Sequence, residues 1–201
     1  MTAGTPALGR FVLRVFLLLP LCFAAWYFTA PYHSAIAAGF ARFFVALFNA
    51  ALISTTEQQA IDLVFVTRLQ VQQAPGQLGV LAIEVNPLIY SYGLALFLAL
   101  MLAARARWWK LLAGVAILFP FQGWGIGFDF LAQVGAKMGP EVAAQAGLLG
   151  AREAIALAYQ VGNLVFPSLV PVALFVAFSR PYIESLVPAR TAAAAARPES
   201  R

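Results

Sequence analysis

A carboxylate and two amides, Asp129, Gln122 and Gln133, sit in a stretch otherwise apolar enough to cross a bilayer, PFQGWGIGFDFLAQ from Pro120 to Gln133. At roughly 100° per residue the three side chains fall within about 40° of one another on a helix. Ionisable groups at membrane depth are costly and face protein or trapped water, so this stripe is where a polar site would be built. Gly123 and Gly127, four apart on the same helix, are a small-residue pair that admits close approach of a second helix. Downstream lies another polar set: Arg152, Glu153, Gln160 and Asn163. If the helices carrying the two sets are antiparallel neighbours, Asp129 and Gln133 lie at the depth of Ala154 to Gln160. Gln122 then lies near Asn163, and Arg152 is a counter-charge for Asp129. The expected product is a polar seam that either clamps two helices together or receives a partner's polar group.

The chemistry open to this chain is narrow. Cys22 and His33 are its one cysteine and one histidine, and a helix would separate them by about 16 Å of rise. Pro31 also interrupts the helix between them. A Cys–His nucleophile, an internal disulfide and a multi-cysteine or multi-histidine metal site are therefore not expected. There is no phosphate-binding glycine loop after a strand and no zinc-ligand spacing. The reading is of a protein that is not an enzyme and takes no metal or cofactor.

The elements that position the polar residues follow from composition. With 62% hydrophobic and 10% charged residues in 201, the chain lies far from globular averages. Recurrent apolar runs of about 20 residues mark a multi-span protein whose first partner is the lipid bilayer. The net charge of +5 does not point to nucleic acid, because the basic residues hug the ends of the apolar runs.

Four spans are expected, at about residues 11–30, 88–104, 111–134 and 154–178. The first is read as uncleaved, since Phe28 stands where signal peptidase wants a small residue and Leu21 is a poor residue before a lipoprotein cysteine. Between the first two spans lies an outer segment, 31–87. Pro31 ends the first helix and Ser34 is read as the N-cap of the next. Residues 35–53 set Arg42 and Asn49 on one face and Phe40, Phe43, Phe44, Leu47 and Phe48 around the remainder. That pattern suits an amphipathic helix lying in the interface or re-entering the membrane. Residues 61–85 read as a β-hairpin around Pro75-Gly76. It is taken as a scaffold element in preference to an edge that accepts a partner strand.

With this arrangement Arg10, Arg14, Arg105, Arg107, Lys110, Arg180, Arg190, Arg197 and Arg201 fall on one side, and Arg42, Arg68, Lys137 and Arg152 on the other. The positive-inside rule then places both termini in the cytoplasm. The fold class is thus an all-α transmembrane bundle, N-in and C-in, with a small extracytoplasmic β-hairpin and an interfacial amphipathic helix. Residues 1–179 form one integral membrane domain, and 180–201 read as a disordered cytoplasmic tail.

Four stretches also carry a family resemblance: LPLCFAAWY (Leu19–Tyr27), Glu57-Gln58-Gln59, PFQGWGIGFDFLAQV (Pro120–Val134) and ALAYQVGNLVFPSLVPVALF (Ala156–Phe175). Together they resemble the exosortase H-associated membrane proteins, small integral proteins of Gram-negative bacteria, from the first span to Phe178. The resemblance implies a bacterial inner-membrane protein with an accessory or scaffold role in protein sorting. Its implied partner is an exosortase, a membrane transpeptidase acting on proteins with a C-terminal sorting signal. Exosortases use a Cys, Arg and His arrangement, and this chain departs from it because Cys22 and His33 do not pair. The alternative function is a small carrier or channel with Gln122, Asp129, Gln160 and Asn163 as its polar path.

Overall fold

The computed structural model describes residues 5–74 and 77–186. Helix α1 (Thr5–Phe28) and helix α2 (Ala30–Asn49) are separated by a break at Thr29. Three strands follow, β1 (Ile53–Gln59), β2 (Asp62–Ala74) and β3 (Gln77–Val85). A short helix α3 (Leu88–Ser91) leads into α4 (Gly93–Ala103), and then comes the long α5 (Trp108–Ala132). A π-helical turn (Gln133–Lys137) ends α5, and α6 (Pro140–Gln145) crosses to α7 (Arg152–Gln160). A second π-helical turn (Val161–Val165) joins α7 to α8 (Phe166–Leu186).

Three of these helical stretches are long and apolar enough to cross a membrane: Leu8–Phe28, Trp108–Lys137 and Leu149–Leu186. The expected second span is a shorter apolar helix, Leu88–Ala103. At 1.5 Å per residue it measures roughly 24 Å, less than the ~30 Å of a hydrocarbon core. It is nevertheless central. Ala95, Phe97, Ala99, Met101 and Ala103 are fully buried, because α1 packs along one side of it and α8 along another. Cys22 fills the contact with Ala95 and Ala99 as a small apolar residue. Gly93 is where α8 comes closest; a Cβ there would lie 2.1 Å from the Pro167 carbonyl oxygen.

Pro31 does not end a helix so much as begin one. The break falls at Thr29, whose hydroxyl donates to the Ala25 carbonyl (2.7 Å), and Pro31 lies in the first turn of α2, where its missing N–H costs nothing. Ser34, expected as an N-cap, is instead fully buried inside the helix. The buried side of α2 carries small residues, Ala30, Ala37, Ala38 and Ala41. Its large apolar residues Tyr32, Ile36, Phe40, Phe43 and Leu47 face outward in a stripe. The small side lies on α5, with Phe40 at Gly123 and Ala41 at Gly127. Arg42 occupies a third face, in grooves shared with Thr56 and Glu57 on one side and Asn49 and Ile53 on the other.

The hairpin expected over 61–85 is present as β2 and β3, paired antiparallel from Leu63↔Val85 to Ala74↔Gln77. The Pro75-Gly76 turn lies outside the described residues. The hairpin is two-thirds of a sheet of order β1-β2-β3. Strand β1 (ISTTEQQ) was not legible because only Ile53 of it is buried, leaving no apolar alternation to read. The sheet's inner face, with Leu63, Phe65, Ile83 and Val85, shares one core with the second half of α5. Phe65 meets Phe130 with ring centroids 5.3 Å apart. A separate core of Leu94, Phe97, Met101, Leu118 and Phe175 fills the other end of the bundle. Helix α8 continues past 179 to Leu186, stabilised at its end by an Arg180–Glu184 ion pair of 3.0 Å. Residues 187–201, read as a disordered tail, lie outside the described residues.

Candidate functional site

Asp129 and Gln133 lie one turn apart near the end of α5, and the Gln133 amide donates to the Asp129 carboxylate (Nε2 to Oδ1, 3.3 Å). The same amide nitrogen reaches the Glu84 carbonyl of β3 at 3.3 Å, tying the helix to the sheet. The Asp129 side chain is buried, 9% exposed. A second donor comes from α3, where the Tyr90 hydroxyl bonds the carboxylate. Tyr90 also hydrogen-bonds Tyr159 of α7, and Lys137 is the cation whose charge acts on Asp129. One carboxylate therefore gathers α3, α5 and α7 at the level of the sheet.

Close backbone approach makes this possible. Gly125 leaves room for the Tyr90 ring; a Cβ there would lie 2.3 Å from it. Gly162, beyond α7, rests against Gly125; a Cβ added at Gly162 would lie 3.0 Å from the Gly125 Cα. It sits in the π-helical turn Val161–Val165, and such turns shift hydrogen-bond register by one residue. One turn earlier, the Ala158 carbonyl accepts from the Trp124 indole N–H at 3.0 Å. The other π-helical turn, Gln133–Lys137, begins directly beyond Asp129. Trp124 lies tilted against Phe128 (centroids 4.5 Å, 34°) and meets Phe44 and Phe166 edge-on, so aromatic rings fill the volume around these bonds.

The residues expected to form the seam divide into two groups. Asp129 and Gln133 come together, and α5 does pack on α7, the turn after it and α8, but Tyr90, Tyr159 and Trp124 make the polar links. Gln160 is exposed and Asn163 is half-buried. Among the described residues neither side chain makes a hydrogen bond to α5. Arg152 and Glu153 border a surface groove with Leu149 and Gly150, and Lys137 stands where Arg152 was expected to act on Asp129. Gly123 and Gly127 face α2, so the close contact with Gly162 falls to Gly125 instead. Gln122 is 3% exposed, and its Oε1 has no partner among the described residues.

His33 is drawn inward. Its ring stacks on Trp26 (centroids 6.4 Å, 14°), and its Nε2–H donates to the Trp26 carbonyl at 3.1 Å. Burial lowers its basicity from the ordinary 6.5, partly offset by that carbonyl. The Trp26 indole in turn donates to Ser91 (3.1 Å), linking α1 to α3. The aromatic polar tips were the missed signal: a buried Tyr or Trp needs a partner for its O–H or N–H, and Tyr90, Trp26 and Trp124 each have one.

These bonds tie α1, α3, α5 and α7 to one another, and the Gln122 Oε1 stands outside them. Comparison with curated proteins and with solved structures gave no match. A family model described as exosortase H-associated membrane protein matches residues 5–182. The packing that the conspicuous stretch Pro120–Val134 supports thus runs almost entirely within the matched region, and the chain belongs to the family of exosortase H-associated membrane proteins.

Proposed function

We propose that this chain is a non-catalytic accessory or scaffold protein that partners an exosortase-type sorting transpeptidase in the bacterial inner membrane. In this reading it crosses the bilayer four times, Leu88–Ala103 being the short second crossing, and both termini are cytoplasmic. The family's name supplies the association. The observation that carries a scaffold role is the junction at Asp129. A three-stranded sheet is fixed to the bundle through Gln133 to Glu84 and through Phe65 against Phe130, and the same carboxylate binds α3, which binds α7. Such a junction holds an extramembrane unit at a set position over the spans, where a membrane-bound partner meets it.

The test is co-purification from native membranes in mild detergent with the exosortase of the same cell. Wild-type chain is expected to retain the enzyme. Tyr90→Phe and Asp129→Asn, at equal membrane levels, are expected to retain less of it. Clean separation of the wild-type chain, with normal processing of sorting-signal substrates in a deletion strain, refutes the proposal.

A further inference from the structure

At the opposite end of the bundle from Asp129, a cavity of about 270 Å³ opens between the α4–α5 connection and α8. Arg105, Arg107 and Lys110 line it together with Ser179 and Tyr182. Among the described residues Arg105 and Arg107 have no acidic partner. The one carboxylate placed near this end of α8, Glu184, is engaged by Arg180. Lys110 is already positioned, its ammonium donating to the Phe178 carbonyl, and Ser179 interrupts α8 with a non-helical φ of −114°. Helix α5 starts here with Arg107 as its N-cap residue and no side-chain cap, leaving first-turn amides available to an anion.

The connection itself is built to present Arg105. The Ala106 N–H bonds the Met101 carbonyl and the Arg105 N–H bonds the Leu102 carbonyl, both at 3.0 Å, which is the Schellman ending of a helix. Its left-handed position is normally glycine. The chain uses glycine in the same ending after α6, at Gly147 (φ 71°), yet has arginine at φ 53° here. A backbone strain accepted for a charged side chain at the mouth of a cavity needs a return, and an uncompensated pair of guanidinium groups offers one: bidentate hydrogen bonds to phosphate. Trp108 and Trp109 beside it are exposed, as residues of the lipid headgroup layer are.

The geometry points to a binding site for a phosphate-bearing anion in this cavity, held by Arg105, Arg107 and Lys110. The headgroup of an anionic phospholipid and free phosphate share this chemistry. The full chain in detergent is titrated with phosphatidylglycerol and, separately, with phosphatidylcholine, and bound lipid is counted by native mass spectrometry. Phosphatidylglycerol is expected to bind tighter than phosphatidylcholine. Arg105→Gly is expected to weaken it about fivefold and Arg105→Gly with Arg107→Gln about thirtyfold, following the usual contribution per basic residue at a lipid surface. Arg105→Gly relieves the strain, so its thermal midpoint without lipid is expected to be no lower than wild type, which separates lost binding from lost folding. Arg180→Gln removes a charge already paired at the same end and is expected to leave binding unchanged. Competition by millimolar inorganic phosphate assigns the site to the free anion, and absence of competition assigns it to the lipid. Equal retention of phosphatidylglycerol by wild type and by the Arg105→Gly and Arg107→Gln variants, or an equal loss in Arg180→Gln, overturns the proposal.

Discussion

Packing of α2 on α5 is a quantitative claim that three glycines test as a series. At Gly39, exposed on α2, an added methyl meets nothing within 4 Å. Gly39→Ala should therefore return only the helix-propensity gain of about 0.5–1 kcal/mol. At Gly127 the methyl meets the Ala41 carbonyl oxygen at 3.0 Å and its Cα at 3.3 Å, so a shift of a few tenths of an ångström offsets that gain and leaves stability near wild type. At Gly123 it would stand 2.3 Å from the Phe40 Cβ and 3.0 Å from the Ala37 oxygen. Carbon atoms pack best at about 3.5–4.0 Å, so the two helices must part by about 1 Å along a face that has no flexible side chain to yield. Overpacking of that kind costs about 1–3 kcal/mol, and because the propensity gain is common to both helical sites, Gly123→Ala falls roughly 1–3 kcal/mol below Gly39→Ala. Equilibrium unfolding in mixed micelles reads this out through tryptophan fluorescence, because Trp124 lies 5.2 Å from the Phe44 ring across the same interface. If Gly123→Ala matches Gly39→Ala within about 0.5 kcal/mol, α2 does not lie on this face of α5, and the reasoning fails.

Four further outcomes follow from named contacts. Tyr90→Phe removes a donor to the buried Asp129 carboxylate, so it should cost about 1.5–3 kcal/mol; a cycle with Asp129→Asn should show coupling, and strictly additive losses would contradict the bond. Gln122→Met replaces a buried amide whose Oε1 is unpartnered by an apolar side chain of similar shape. It should be neutral or stabilising by about 1 kcal/mol, whereas a clear loss in thermal stability would reveal a partner for the amide. Ala60 has φ 55° in the two-residue turn between Gln59 and Asp62, so Ala60→Gly should stabilise the sheet by up to about 1 kcal/mol, read as slower amide exchange in β1 and β2. His33 is less basic folded than its ordinary 6.5, so the unfolded chain binds more protons between the two values. Stability should be full above about pH 6.5 and fall as the pH drops through the folded value; His33→Gln should flatten that part of the profile, and an unchanged slope would count against it.

Residue order alone marked the class of molecule and the shared helix face of Asp129 and Gln133. Apolar run length and the clustering of basic residues marked a membrane bundle, because a bilayer imposes both by one-dimensional rules. The 3.6-residue period put Asp129 and Gln133 on one face, since their bond is local to a single helix. The Pro-Gly interruption within apolar β-branched runs likewise marked the β2–β3 hairpin. Tertiary structure decided everything that depends on which faces meet. The glycine pair Gly123 and Gly127 could have received any helix with a small-residue face, and it received α2, whose buried side carries Ala37, Ala38 and Ala41. Gly162 then settled on Gly125, and Tyr159 of α7 joined Asp129 through Tyr90 while Gln160 and Asn163 made no hydrogen bond to α5 among the described residues. Strand β1 escaped notice because an edge strand needs its partner's backbone more than its own side chains. Helix phase is written locally, but the choice among small faces is a comparison of packings, and only the folded chain makes it.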